Sequence, residues 1–339
     1  MASSTTLGGF KVLKDVVRYS LDFPLAGAPS PAALCRVICE GKINLPYITC
    51  IRDGPIWRLT VVVDSVDHAR MNELLSGMLG KAVPSQSRSV VLSIFPHRND
   101  PAITGTLLKL LGQEGLEADA LANSPSAISV VLKEESLNRA SAALFEAFSF
   151  SSYRTPEDWK LAQKGKERLY KEVVASYQEK RPKVYGLNYR DNQEFFLSSL
   201  ASRDVAPFGA AMKAVAGLGL DLAFLSTTPC ESECQDKVYF CLPRSENPAY
   251  RRIILETAPR LQIEEMGAAG TFSMTGPHFG DRYGIASELL NAFEKAQVRL
   301  LGINCTVASV RGVVPADQVP PALAAIKECF EVPSITKKN

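Results

Sequence analysis

Two loops of the sequence carry the same polar residues in the same order, and each precedes an apolar stretch with helical periodicity. The first loop holds His97 and Asp100, and the second holds His278 and Asp281 ahead of Gly284. A helix N-terminus offers unsatisfied N–H groups and the positive end of a dipole, which suit a carboxylate. An aspartate suits an ammonium, so the second loop is equipped for a zwitterion, whose charges must both be paired when buried.

Motifs that would indicate catalysis are missing from the sequence. It contains no phosphate-binding GxxxxGK, no GxGxxG after a strand, no HExxH and no nucleophile elbow. The three histidines are scattered, and the pairs Cys35/Cys39 and Cys230/Cys234 lack the second ligand pair that zinc needs. We therefore expect reduced thiols, no metal, no cofactor and no catalysis. An enzyme site in a cleft between domains is the alternative.

The charge of the chain is nearly balanced, with 38 basic and 36 acidic residues and a net charge of +2. Nucleic acids and acidic membranes favour a basic excess, and an RNA-binding sheet would also carry an aromatic motif that is missing here. No apolar run approaches the roughly 18 residues that span a bilayer, and the start lacks the apolar core of a secretory signal. The sequence predicts a cytoplasmic protein without nucleic-acid or membrane partners.

An internal repeat indicates the architecture. PHRNDPAITGTLLKLL, from Pro96, aligns with PHFGDRYGIASELLNAF, from Pro277, and INLPYITC, from Ile43, aligns with LDLAFLST, from Leu220. Both alignments have an offset of about 180 residues, so one half of the chain is repeated as the other. Within each half, the order strand, helix, strand, strand, helix recurs. This predicts an α+β fold of four ferredoxin-like βαββαβ modules in tandem, at residues 8–84, 85–152, 184–266 and 267–335.

The segment between the halves, residues 153–183, is predicted to be one long connector helix. Thr155 is a suitable N-cap, Pro156 occupies the first helical position, and the helix should stop before Pro182. Its apolar residues form a narrow stripe, so we expect it to lie across a module surface. A partner-binding helix is the alternative.

The modules are expected to pair, because a unit of about 70 residues has open sheet edges and only a modest core. Side-by-side pairing predicts eight-stranded antiparallel sheets with the helices on one face. The nearly continuous apolar runs TVVV (60–63) and SVVL (89–92) fit central strands. The uncovered sheet faces would then stack on each other or form a homodimer.

The last quarter resembles the ACT domains, in particular the regulatory, non-catalytic region of aspartokinases. That family has a strand followed by glycine, a loop, and then glycine, isoleucine or valine, and alanine at the start of a helix. Gly276, Gly284, Ile285 and Ala286 match this pattern. The resemblance covers residues 270–332, extends more weakly over 87–150, and reaches the other quarters through the repeat. The KFGG-like start and phosphate loops of an aspartokinase catalytic domain are not found, so the resemblance implies four ACT-like modules and no kinase domain.

The resemblance also implies an amino-acid ligand between two paired modules, at the loop before the first helix. The residues expected at the ligand in the C-terminal half are His278, Phe279, Asp281, Gly284, Ile285, Ala286 and Asn304. Asp281 would accept from the α-ammonium, and Asn304 would bond either end of the ligand. A helix cap is the alternative for Asp281, and a turn that requires glycine is the alternative for Gly284.

The first half carries His97 and Asp100 as the equivalent candidates, but Pro101 and Ala102 replace the loop and its glycine. This departure puts a ligand site in the first half in doubt. For His97 and for His278, a structural loop histidine is favoured over a ligand contact. The apolar loops PLAGAPSP and DVAPFG, in the first and third quarters, are expected to form the partner face of each site.

The function expected from these features is that of a non-catalytic sensor. It would bind a small amino acid at module interfaces and control a partner by changing how the sheets pack. The expected partner is a metabolic enzyme, reached through a regulatory contact, or a second copy of the chain. The alternatives are a structural or oligomerisation module without ligand, and a stand-alone regulatory subunit of an amino-acid biosynthetic enzyme such as aspartokinase.

Overall fold

The structure, a computed structural model, describes residues 5–163, 181–229, 235–245, 249–276, 279, 283–307 and 309–338. Strands and helices are interspersed along the described residues. The first half contains β1 (Thr5–Leu7), β2 (Gly9–Pro24), α1 (Pro31–Glu40), β3 (Tyr47–Asp53), β4 (Ile56–Asp64), α2 (His68–Leu79), β5 (Ser85–Phe95), α3 (Pro101–Gln113), β6 (Ala120–Asn123), β7 (Ile128–Lys133), α4 (Leu137–Ala147), β8 (Phe148–Phe150) and α5 (Pro156–Gln163).

The second half repeats the order strand, helix, strand, strand, helix. It contains β9 (Gly186–Leu200), α6 (Val205–Ala216), β10 (Phe224–Thr228), β11 (Asp236–Pro243), α7 (Ala249–Thr257), β12 (Ile263–Thr275), α8 (Ile285–Lys295), β13 (Gly302–Thr306), β14 (Ser309–Pro315), α9 (Val319–Cys329) and β15 (Ile335–Lys337). The predicted helix from Gly284 to Ala296 therefore exists as α8.

One large sheet connects both halves. Its 13 strands run in the order β11-β10-β6-β7-β5-β2-β4-β3-β13-β14-β12-β9-β15. Because β11 also pairs with β9, every strand of this sheet except β15 belongs to a closed ring. The pairings within the ring are antiparallel, and the two halves meet twice, where β3 pairs with β13 and where β6 pairs with β10.

The ring is flattened into two layers with helices outside. One hydrophobic cluster joins the β3, β4, β13 and β14 side to α1, α2, α8 and α9, and another joins the β6, β7, β10 and β11 side to α3, α4, α6 and α7. Alternate side chains of the same strands point inward, as the two-residue period of a strand requires. They form the smaller clusters between the layers, which include Tyr47, Val62, Phe195 and Phe224.

Long strands make the corners of the ring. Phe10, near the start of β2, belongs to one helix-side cluster, whereas Tyr19, near its end, belongs to the other. Between them, the register of β2 against β5 shifts from Leu13 to Val16, and Asp15 has a φ of 56°. A bulge bends a strand and increases its twist, so this bulge carries β2 from one layer to the other.

Outside the ring, helices α3 and α6 pack against each other at glycine positions. A Cβ on Gly105 of α3 would press on the carbonyl of Gly209 in α6 and lie 2.7 Å from the backbone nitrogen of Lys213. A Cβ on Gly112 would lie 2.6 Å from the nitrogen of Ala206. Backbone therefore meets backbone between α3 and α6, and this close approach leaves no space between the two helices at the glycine positions.

The predicted α+β fold with a large antiparallel sheet is confirmed, and the runs at residues 60–63 and 89–92 are buried in central strands. The prediction of eight-stranded sheets is not confirmed, because one sheet contains 13 strands. Adjacent units pair through their first strands, β2 with β5 and β9 with β12, and the outer strands of the two halves also pair. Joining all open edges gives one continuous sheet, because unpaired edges leave backbone groups unsatisfied.

The connector begins where the sequence predicted. Thr155 caps α5 by accepting from the N–H of Asp158 at 3.1 Å, and the Asp158 carboxylate accepts from the N–H of Thr155 at 3.0 Å. Trp159 is buried and its ring stacks on Phe10 with a centroid distance of 4.5 Å. The remainder of the predicted connector helix, residues 164–180, lies outside the described residues.

Candidate functional site

A pocket opens between α1 and α8, where the first and last quarters of the chain meet. Its empty space, counted together with the open solvent at its mouth, is about 460 Å³. The lining residues are Cys35, Ile38, Cys39, Ile43, Asn44, Leu45, Pro46 and Ile48 from the first quarter, and Phe279, Gly284, Ile285, Ala286, Ser287, Cys305, Thr306, Val307, Ser309 and Val310 from the last.

The start of α8 forms one wall of the pocket. Gly284 is its N-cap, with φ 93° and ψ −8°, a conformation that favours glycine. Gly284 has no side chain with which to cap this end of the helix. The backbone conformation requires glycine here, and a Cβ on Gly284 would also lie 2.8 Å from the sulfur of Cys39, at the end of a rotatable side chain of α1.

Four of the predicted ligand residues come together at this wall, namely Phe279, Gly284, Ile285 and Ala286. His278 and Asp281 lie outside the described residues.

The hairpin turn on the opposite wall is strained, because Val307 has a φ of 55°. A β-branched residue in this region is unusual and often marks a functional site.

Asn304 lies elsewhere. Neighbouring residues of a strand point to opposite faces. Cys305 lines the pocket, and Asn304 points into the interior of the ring. The Asn304 amide nitrogen donates to the carbonyl oxygens of Asn123 at 3.1 Å and Leu225 at 2.9 Å. The residue thereby links β13 to β6 and β10, and its side chain is fully buried.

His97 and Asp100 have structural partners in the first half. The Asp100 carboxylate accepts from the N–H of Ala102 at 2.7 Å and caps α3. The Nε2 of His97 donates to the carbonyl of Ser124 at 2.5 Å, and its Nδ1 accepts from the N–H of Asn99 at 3.2 Å. Both ring nitrogens of a neutral imidazole are therefore used. At the position equivalent to the pocket between α1 and α8, helices α3 and α6 are in direct contact.

Burial, followed by the nearby Arg311 guanidinium, lowers the pKa of His97 from 6.5 to about 4. Between pH 6.5 and about pH 4, the His97 imidazole is protonated in the unfolded chain but neutral in the folded protein. The free energy of unfolding therefore falls as the pH falls. We expect His97 to account for a loss of about 3 kcal/mol in the free energy of unfolding between pH 7.5 and 4.

The measurement is urea unfolding across that pH range. A His97→Gln variant should lack this part of the pH dependence, whereas a His68→Gln variant should retain it. If the free energy of unfolding changes with pH equally in wild type and His97→Gln, His97 does not titrate in this way.

Sequence reasoning missed the partner face of the pocket. That face was expected in the loop PLAGAPSP, but it is formed by the second half of α1 and by residues 43–46. The spacing of Cys35 and Cys39 placed both on one side of a helix, yet nothing in the sequence placed Cys305 opposite them. The prediction of reduced thiols is confirmed for Cys35, Cys39, Cys50, Cys241, Cys305 and Cys329.

None of the helices in the described ranges is both long enough and apolar enough to cross a membrane. Within the same part of the chain, no group of three or more His, Cys, Asp or Glu side chains is arranged to hold a metal ion.

The fold and pocket define an α+β protein with a large antiparallel sheet and a pocket between two helices. No protein-family model and no curated protein matches the chain. Among solved structures, it is similar to an aspartate kinase from Synechocystis, with a TM-score of 0.76 and 16% sequence identity. The match covers 97% of this chain and 57% of that one, so the chain spans little more than half the length of the kinase.

Two further structures match in part. The regulatory subunit of aspartate kinase from Thermus thermophilus, in its ligand-free form, has a TM-score of 0.38 and 16% identity over 42% of this chain and 99% of that chain. A structure of aspartokinase alpha and beta subunits has a TM-score of 0.37 and 17% identity over 42% of this chain and 97% of that chain.

The Synechocystis match corrects the functional predictions. A non-catalytic sensor without a kinase domain was expected, but the structure that matches almost the whole chain is that of an enzyme. The predictions of no kinase domain and no catalysis are therefore wrong. The two alternatives, a structural module without ligand and a stand-alone regulatory subunit, are not better supported by the match.

Proposed function

We propose that the chain functions as an aspartate kinase, and that a small amino acid in the pocket between α1 and α8 controls this activity. The match to an aspartate kinase supports the first part, because it has a TM-score of 0.76 and covers 97% of the chain. We also propose that the four runs of strand, helix, strand, strand, helix are ACT-like modules, with the bounds expected from the sequence, and that the kinase site lies in a cleft between these modules.

The lining of the pocket supports an amino-acid ligand with a neutral side chain. The described lining residues carry apolar groups, thiols, hydroxyls and one amide, but no charged side chain. Main-chain N–H groups at the start of α8 would bind the carboxylate, because the first N–H groups of a helix have no acceptor within it. We propose Asp281, from the sequence alone, as the acceptor for the ammonium group.

The activity is tested with the purified chain, ATP in magnesium buffer and L-aspartate. We expect ADP and an acyl phosphate, trapped with hydroxylamine, to form in equal amounts and only when aspartate is present. Heat-denatured protein is the control. The absence of acyl phosphate above that control would refute the kinase proposal.

The pocket is tested separately by thermal shift across the twenty amino acids. A neutral amino acid should raise the Tm, and a concentration of 100 Kd should add about 2.7 kcal/mol of stability. An Ala286→Leu variant should lose the shift because the larger side chain fills the cavity, whereas Ala296→Leu, at the exposed end of α8, should keep it. If no amino acid raises the Tm at millimolar concentration, the pocket is not an amino-acid site.

A further inference from the structure

Cysteines are concentrated at the pocket. Cys35 and Cys39, from α1, and Cys305, from β13, line the cavity. Cys50, on β3, lies close enough to Cys35 and Cys305 for their charges to raise its pKa, in addition to the larger effect of burial. All four are thiols rather than disulfides. Half of the eight cysteines of the chain thus meet at one place, although they come from three separate elements.

These thiols differ in accessibility. Cys35 is 2% exposed and Cys50 is fully buried, whereas Cys305 and Cys39, which lies at the mouth of the pocket, are partly exposed. Burial raises the pKa of Cys35 to about 12 and raises the pKa of Cys50 and of Cys305 far above its usual value. Because the thiolate is the reactive form, these three thiols react slowly with a dissolved oxidant, and Cys35 can attack only a sulfur that is held next to it.

Cys39 has a different environment. Its sulfur is next to Gly284, where a Cβ would approach it to 2.8 Å, and Gly284 is the N-cap of α8. The partial positive charge at a helix N-terminus stabilises negative charge on a reacting sulfur. Cys39 therefore combines access through the pocket with a favourable electrostatic position, and Cys35 lies one helical turn before it.

We propose that Cys39 is a peroxide-sensitive thiol and that Cys35 resolves its oxidised form, so that oxidation alters the pocket. In the first step, the Cys39 sulfur attacks one oxygen of hydrogen peroxide, the O–O bond breaks, and sulfenic acid and water form. In the second, the Cys35 sulfur attacks the sulfenic sulfur, a disulfide forms, and a second water leaves. The peroxide is the oxidant, and a thiol reductant reverses the change.

The disulfide would distort α1. Residues four apart on a helix have Cα atoms roughly 6 Å apart, inside the range of a disulfide, but their Cβ atoms are about 5–6 Å apart against the roughly 4 Å that a disulfide needs. Closing the bond must therefore bend this turn of α1. Since the same turn contributes Cys35, Ile38 and Cys39 to the pocket wall, the oxidised protein has a changed cavity.

Peptide mapping of the full chain tests the proposal, because Arg36 separates the two cysteines. After brief treatment with dilute hydrogen peroxide and alkylation, a non-reduced tryptic digest should contain peptide 19–36 joined to peptide 37–42. Reduction should release both. In untreated protein, we expect iodoacetamide to modify Cys39 at least about ten times faster than Cys329, a partly exposed cysteine whose pKa burial raises to about 12.

Two variants complete the test. Cys39→Ser should abolish the joined peptide, and Cys35→Ala should instead leave a sulfenic acid at Cys39 that a dione probe labels. Cys329→Ser should behave as wild type. A joined peptide that is missing from peroxide-treated wild type, or equal alkylation rates at Cys39 and Cys329, would overturn the proposal. These readouts are chemical, so they stand or fall independently of the kinase and amino-acid proposals.

Discussion

Replacing Asn304 with aspartate is expected to lower the free energy of unfolding by about 3–5 kcal/mol at pH 7.5. The amide of Asn304 donates to the carbonyls of Asn123 and Leu225 in the fully buried interior. An aspartate removes both donors and places a negative charge against two carbonyl oxygens. The change is nearly isosteric, so the loss measures hydrogen bonding and charge rather than packing.

Urea unfolding at pH 7.5 and at pH 5 provides the test. The introduced carboxyl is more easily protonated in the folded protein than in the unfolded chain, and a protonated acid can donate to one carbonyl. The deficit relative to wild type should therefore shrink at pH 5. Asn291→Asp, on α8, where the amide of the half-buried Asn291 donates to the Ser287 hydroxyl, should cost less than about 1 kcal/mol. If Asn304→Asp also costs less than about 1 kcal/mol, the hydrogen bonds of Asn304 between the two layers contribute little to stability.

Gly105→Ala is expected to destabilise the protein by about 2–4 kcal/mol. The added methyl would press on the Gly209 carbonyl and approach the Lys213 nitrogen, and both are backbone groups that cannot rotate away. Helices α3 and α6 must therefore separate. Since their side chains belong to one large cluster, which contains Leu107, Leu108, Phe208 and Met212, the separation disturbs packing well beyond the glycines.

The control for this variant is Gly77→Ala in α2. A Cβ on Gly77 meets nothing within 4 Å, so helix propensity alone should act there and stabilise the protein by roughly 0.5–1 kcal/mol. The two substitutions are chemically identical and have opposite expected signs. Thermal or urea unfolding of both variants checks this, and a neutral or stabilised Gly105→Ala would show that α3 and α6 can move apart easily.

Much of the fold was predictable because its signals are local or repeated. The apolar runs at 60–63 and 89–92, the cap at Thr155 and the helix after Gly284 depend on neighbouring residues, and the internal repeat supplied the order of elements. The closed ring was not predictable in this way. Pairings such as Thr49 with Asn304 join distant segments, and no nearby residue specifies which strand edge will meet which.

The candidate site shows the same division. Gly284, Ile285 and Ala286 were found through a local motif, and all three line the pocket. Asn304 was assigned to the ligand as a polar residue on the neighbouring strand, but strand alternation turns it to the interior and turns Cys305 to the pocket. The contribution of Cys35 and Cys39 depends on α1 packing against α8, which is a tertiary contact without a sequence signature.

The closure of the ring also has a consequence for synthesis on the ribosome. When the first half has emerged, β3 and β6 have partners on one side only, and their second partners, β13 and β10, are still untranslated. Strand β13 follows β3 by roughly 250 residues, or about 10–50 seconds at ordinary translation rates. During that interval the nascent chain exposes two strand edges that can add strands from other chains. Its protection by chaperones should therefore matter most before the last quarter is made.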